Sequence, residues 1–221
     1  MNRPLLAVLT ASLLTAGASV QAQTLLTTPF GGTQATNILG ICPTGYCQSA
    51  PYAIGTNGFG VSFNGDAPYL VGIGGAWGLV GNGNWTGAFG YAGTNDQLGD
   101  NLSNIFSFSA PVTSVGAFMN YAPGQGGAPT LIAYNLLNVM VASYDLSALA
   151  PINTPAGSDQ GAFRGISYAG GISKLELKGG FLVNRDLFAT RDSVVPEPAT
   201  MTLLALGLAG MAVARRKKRS Q

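Results

Sequence analysis

Few residues of this chain have types and spacings that invite chemistry. Cys42 and Cys47 bound the run Cys-Pro-Thr-Gly-Tyr-Cys. Such a pair can close a small disulfide loop in an oxidising compartment, or supply two thiolates to a metal. A closed zinc site needs four ligands, and the chain contains no histidine. Asp96 and Asp100 lie in Thr94-Asn95-Asp96-Gln97-Leu98-Gly99-Asp100-Asn101. Short Asp and Asn side chains beside glycine build turns. The same oxygens suit a Ca²⁺ loop, and two carboxylates about 5 to 10 Å apart are what a glycosidase needs. The turn is the favoured reading. Trp77, Trp85 and Tyr91 sit among glycines and can form a stacking platform for a sugar ring. The competing reading, that they fill the core or cover glycine-rich strands, is favoured. Gly72-Ile73-Gly74-Gly75 carries Gly-x-Gly, but no strand–helix unit with a following acid supports a dinucleotide site. Without histidine the Ser/His/Asp and Cys/His constellations are closed to this chain. No enzymatic activity is expected.

The elements that would position these residues read as strands. Phe59-Gly60-Val61-Ser62-Phe63 puts three apolar side chains on one face at period two. Asn57-Gly58, Asn64-Gly65 and Asn82-Gly83 are each a hairpin signal, because both residues accept positive φ. Residues 69–92 are glycine-dense, and short strands are expected there. Further on, strands are expected at Ile105–Ser109, Ser114–Tyr121, Thr130–Asn135 and Asn138–Leu146. After a polar loop, Pro151–Gln160, come Ala162–Tyr168, Ile172–Lys178 and Phe181–Phe188. Many short strands at regular spacing with no long helical pattern predict an all-β body, a single β-sandwich or jelly roll over residues 23–192.

Both ends of the chain read as address labels. Residues 1–22 have the pattern of a signal peptide: Arg3, an apolar run Leu5–Ala18, then Val20-Gln21-Ala22, with cleavage expected between Ala22 and Gln23. The Sec translocon and signal peptidase are the partners this implies. Export favours the disulfide over the metal at Cys42 and Cys47. Charges are few in the body and their balance is acidic. Eight acids face five bases between residues 23 and 194, so the overall basic balance comes mainly from the tail. Nucleic-acid binding is not expected, since phosphate neutralisation needs clustered cations.

Residues 193–221 have three parts in fixed order. Pro196-Glu197-Pro198 is extended and hostile to helix. An apolar run follows, a single transmembrane helix over about residues 199–214. Arg215, Arg216, Lys217, Lys218 and Arg219 then hold the end on the cytoplasmic side. From Met201 to Ala214 a helix reaches only about 21 Å at about 1.5 Å per residue, short of a hydrocarbon core of about 30 Å. A short anchor beside an accessible Pro-Glu-Pro reads as a temporary hold next to a cleavage site.

This order resembles the PEP-CTERM sorting signal of Gram-negative bacteria, also labelled "ice-binding protein C-terminal domain". The resemblance covers about 27 residues of the chain. It implies an exosortase substrate, exported, anchored in the inner membrane during sorting, and passed to the envelope, surface or extracellular matrix, often beside exopolysaccharide. A second resemblance joins F-S-F-S-A-P-V-T-S-V-G-A-F, F-R-G-I-S and I-S-K-L-E-L to the jelly-roll bodies common in such proteins, which are similar to lectin-like sandwiches. Many of those close on paired acids. Here Val183-Asn184-Arg185-Asp186-Leu187-Phe188 keeps only Asp186 of the pair. The function expected is that of a non-enzymatic protein of the envelope or matrix. The alternatives are an exported hydrolase of matrix polysaccharide and a permanently membrane-anchored surface protein.

Overall fold

The computed structural model describes residues 22–48, 50–66, 68–94 and 102–191. The expected signal peptide before Ala22, the Asp96/Asp100 loop and the whole sorting tail lie outside the described residues. In chain order the elements are β1 (Gln23–Leu26), β2 (Thr33–Gln34), α1 (Ile38–Ile41), β3 (Tyr46–Cys47), β4 (Tyr52–Ala53), β5 (Val61–Gly65), β6 (Pro68–Val71), β7 (Trp77–Gly78), β8 (Asn84–Trp85) and β9 (Tyr91–Thr94). They continue as β10 (Ser103–Asn120), β11 (Thr130–Tyr134), β12 (Met140–Asp145), α2 (Leu146–Leu149), β13 (Ala162–Lys178), β14 (Val183–Asn184) and β15 (Phe188–Thr190). Gln23, the expected mature start, opens β1 opposite Tyr168.

The all-β body is present, but its organising feature is a pair of long strands. β10 and β13 run 18 and 17 residues and pair antiparallel along their length. The sequence predicts two separate strands in each of these stretches. Instead each strand continues through its interruption, with register shifts between Ser107 and Ser114. Pro111, which cannot donate to a ladder, sits within this irregular region, and Gly171 supplies a positive φ of 89° on the partner strand. Bulges of this kind bend a strand without ending it. The first half of β10 is flanked by β5 and β13, the second half by β13, β14 and β15. β11 and β12 extend the sheet beyond the second half of β13, and β1 lies against its first half. Among the described residues the strands form one open sheet of 13 strands plus a separate two-stranded ribbon of β7 and β8.

Both halves of the long strands feed one main core. Phe63, Phe106, Phe108, Leu131, Leu175 and Leu177 belong to it with Val115, Ala117, Met119, Ile166 and Leu187. Phe59, Val61 and Phe63 are all buried, as period two requires. The Thr56–Phe59 turn is a hairpin with Asn57 and Gly58 at φ 51° and 80°, closed by the Phe59 N–H to the Thr56 carbonyl at 2.9 Å. It joins β4 to β5.

Two other expectations fail for identifiable reasons. Asn64-Gly65 is no hairpin: both residues are inside β5, paired with Ile105 and Asn104. Glycine is needed at 65 because a Cβ there would stand 2.9 Å from the Asn104 Cα. Phe181–Phe188 is not one strand either. It breaks into β14 and β15 around Arg185 and Asp186, whose side chains are committed to other segments.

Candidate functional site

The sheet segment β3–β6–β9–β14 has two working faces. Leu70 and Ala92 point to the main core. On the opposite face Val71, Tyr91 and Val183 form a second, smaller core with Leu79 and Trp85 of the β7–β8 ribbon. The ribbon is thus a cover over this part of the sheet. Its turn carries Gly81 and Gly83 at positive φ, and Trp77 and Trp85 are cross-strand partners within it.

The two tryptophans have different surroundings. Trp85 is fully buried, edge-on to Tyr91 at 5.4 Å, and its Nε1 donates to the Gln160 carbonyl at 2.6 Å. It therefore has no face for a sugar, and the Trp77/Trp85 platform is corrected to a core role for Trp85. Tyr91 is buried beneath it, and that burial pushes its hydroxyl well above the usual tyrosine pKa. Trp77 is half-buried at the ribbon's edge, where its indole lies over Gly93 of β9; a Cβ at Gly93 would stand 3.6 Å from the indole six-membered ring. Tyr69, the cross-strand partner of Gly93, meets Trp77 edge-on at 5.6 Å.

Around this pair opens a cleft of about 410 Å³ lined by Tyr46, Gln48, Tyr69, Trp77 and Phe181, with Ala76 and Gly78. Tyr46 is 51% exposed, yet its hydroxyl is held from both sides. It accepts from the Ala76 N–H at 2.8 Å and donates to the Ala76 carbonyl at 2.6 Å.

Cys42 and Cys47 form the expected disulfide, with Cα atoms 6.0 Å apart. It links the end of α1 to β3, the strand that carries Tyr46 to the cleft. The loop it closes rests on Gly72 and Ile73 through Gly72 N to Gly45 O at 2.8 Å and Ile73 N to Pro43 O at 3.0 Å. Gly72 leaves room for this loop: a Cβ would meet the Pro43 carbonyl carbon at 2.6 Å. That contact accounts for Gly72, and Gly74 takes a positive φ of 83° in the turn that follows. Opening the bridge with Cys42→Ser and Cys47→Ser together is expected to lower stability by about 2 kcal/mol, the chain-entropy value for so short a loop. Urea denaturation of both forms measures it.

Asp186 is a structural tie. Its carboxylate accepts from Ile38 N at 2.9 Å, Thr36 Oγ1 at 2.9 Å and Gln34 Nε2 at 3.1 Å, fastening the 34–38 segment to the β14–β15 connection. Burial raises its pKa above the usual carboxyl value, against the lowering effect of the Ile38 and Thr36 bonds. The folded chain therefore holds this proton more tightly than the unfolded one. Stability attached to this group rises as pH falls through the folded pKa toward the ordinary value, and is lost as pH rises again. Asp186→Asn is expected to remove that slope, visible as a flatter stability–pH curve just above the ordinary carboxyl range.

Arg185, beside it, lies over Phe89 with its guanidinium carbon 3.4 Å from the ring centroid, and donates to the Asp159 carbonyl at 2.7 Å. Its charge is spent inside the fold. Among the described residues no group of three or more potential metal ligands comes together.

Two buried polar groups escape a reading of the sequence. Asn82, expected only as a turn residue, is buried, and its Nδ2 donates to Asn120 Oδ1, Tyr121 O and Ile152 O at 2.8, 3.1 and 2.9 Å. Its Oδ1 accepts from Thr154 N at 2.6 Å. Arg164 is buried and donates only to carbonyls, those of Ala150, Pro151 and Phe163. Burial lowers its pKa. The signal that could have found it is a lone cation in an otherwise apolar strand pattern. Together these groups fasten the 150–160 segment to the sheet.

Residues 194–218 match the family model of the PEP-CTERM protein-sorting motif. No curated protein and no solved structure matches the chain. The chain thus carries a PEP-CTERM sorting motif, the mark of an exported protein that is anchored in the membrane during sorting and processed by exosortase. The match takes in Pro196, Glu197 and Pro198 and the basic residues Arg215 to Lys218. Among the described residues no helix is long and apolar enough to cross a membrane. The expected span, about 199–214, lies outside them.

Proposed function

We propose that this protein is a non-enzymatic component of the cell envelope or extracellular matrix, delivered by exosortase and associated with exopolysaccharide. The observation that carries the reading is the sorting motif at residues 194–218. The body supports it. A disulfide-bearing β fold suits an oxidising exterior, and among the described residues Asp159, Asp186, Arg164 and Arg185 hold segments together. Asp186, Asp159 and Arg185 are each bonded to backbone or hydroxyl groups of neighbouring segments.

Intact-mass measurement of the mature protein from its native host tests the reading. A chain ending upstream of Arg215 supports processing and release. A chain that retains Arg215 to Gln221 would make it a permanently anchored surface protein instead. Turnover of the host's own exopolysaccharide by the purified protein would replace the non-enzymatic reading with that of an exported hydrolase.

A further inference from the structure

We propose that the cleft between the β7–β8 ribbon and the edge of β3 and β6 is a binding site for a neutral glycan chain, with a sugar ring seated against the Trp77–Tyr69 pair. This deepens the matrix reading and rests on it for the source of the glycan.

The register of the sheet builds the cleft. Val183, Gly93 and Tyr69 form a cross-strand row on the face covered by the ribbon. β3 pairs Tyr46 with Val71 and Cys47 with Leu70, so continuing that register brings Gln48 beside Tyr69. The missing side chain at Gly93 leaves the row a gap, and the Trp77 indole fills it. One aromatic thus lies on the sheet and a second meets it edge-on, an arrangement that fixes both rings. Sugar rings have apolar faces whose C–H bonds are partly positive and suit the negative face of an aromatic ring, while their hydroxyls need partners at the rim. The cleft has such a rim. Among the described residues nothing bonds to Trp77 Nε1, the Tyr69 hydroxyl or the Gln48 amide, whereas the Tyr46 hydroxyl is already committed to Ala76.

Charge selects the class of glycan. None of the described lining residues is charged. Among the described residues, then, an acidic polysaccharide or a nucleic acid would find no cation in the lining to receive its anions. The volume of about 410 Å³ is within the range of about 300 to 1,000 Å³ usual for small-molecule sites. Phe181 adds a separate sign of specialisation. It lines the cleft at φ 47°, in the left-handed region that bulky residues rarely enter, in a turn whose preceding Gly179 and Gly180 also have positive φ. Strain of this kind concentrates where a side chain must be presented in one place.

Isothermal titration of the full chain, purified in a detergent without a sugar headgroup, tests the site. The probes are neutral malto-, cello- and laminari-hexaoses, with an alginate hexamer as the acidic comparison. At least one neutral hexaose is expected to bind with a dissociation constant below about 1 mM. Trp77→Ala is expected to weaken that binding at least about tenfold, and Gln48→Ala, which removes only a rim amide, several-fold. Leu137→Ser, on the exposed tip of the β11–β12 hairpin, is expected to leave it unchanged, and melting temperatures establish that all three variants fold. No binding of any neutral probe up to about 10 mM, undiminished binding by the folded Trp77→Ala variant, or binding of the alginate probe alone would overturn the proposal. An intact tail in the mass measurement would sink processing yet leave these constants untouched, so the two failures are separable.

Discussion

Asn82→Ala is expected to destabilise the protein by about 3 to 4 kcal/mol. The side chain ties three segments at once. It donates to Asn120 on β10, to the carbonyl of Tyr121 and to the carbonyl of Ile152, and it accepts from Thr154. Alanine leaves the Tyr121 and Ile152 carbonyls and the Thr154 N–H without this partner, while Asn120 Oδ1 keeps only the Tyr121 N–H, and each buried orphan costs about 1 to 3 kcal/mol before relaxation or water entry repairs part of it. Asn120 retains its own bonds to Asn82 O, Thr154 Oγ1 and Gln160 O, so the segment is weakened rather than released. In a thermal melt the loss should appear as a fall of roughly 6 to 16 °C for a domain of this size.

Asn82→Asp separates the polar argument from simple packing. It keeps the shape and the acceptor for Thr154 N, but puts a carboxylate oxygen where two amide N–H bonds are now shared among three oxygens. The introduced acid should have a strongly raised folded pKa. Its penalty is then largest at neutral pH and shrinks as pH falls through that pKa, because the protonated form regains one donor. Equal destabilisation of Asn82→Asp at pH 5 and pH 7 would contradict the network.

How far the sequence discloses this molecule depends on which force sets each element. Period two at Phe59, Val61 and Phe63 is a local signal of one-sided burial, and it is obeyed. Asn57-Gly58 and Asn64-Gly65 are the same dipeptide with opposite fates. The first meets no competing partner, whereas the second is claimed by β10 through pairing that no local pattern displays. Pro111 and the Gly170-Gly171 pair look like strand ends, yet the long strands pass through them because bulging costs less than giving up flanking pairs on both sides. The same limit governs the site. Trp77 and Trp85 have alike glycine-rich surroundings in sequence and are directly paired, but one covers Tyr91 and the other covers Gly93. Only the cross-ribbon placement shows which ring is left for a ligand. Asn82 and Arg164 were illegible for a different reason. Their partners are mostly backbone carbonyls, and carbonyls carry no sequence signature.

Replacing Pro196 and Pro198 together by alanine is expected to abolish tail removal, so that the protein recovered from its host keeps Arg215 to Gln221 and stays with the membrane fraction. The argument begins with the backbone. Each proline lacks an N–H and holds φ near −65°, and the residue before it is pushed away from helix. Glu197 is therefore expected on an extended segment that does not continue the expected apolar helix. Alanines at both positions restore two donors and the strongest helix propensity, which would let the expected helix over about residues 199–214 extend backward through the motif itself. A helical site offers a processing enzyme no extended backbone to engage. Glu197→Gln is the companion change: it keeps the extended geometry and removes only the charge. If recognition is mainly conformational, Glu197→Gln is processed and the double alanine variant is not; if the anion is read, both retain the tail. Removal of the tail from the double alanine variant at the native rate would refute the dependence on this stiff segment. The body should be indifferent to all of these changes, because every strand, core residue and disulfide among the described residues lies at or before Arg191. Identical melting temperatures for the detergent-solubilised forms would confirm that the substitutions act on sorting alone.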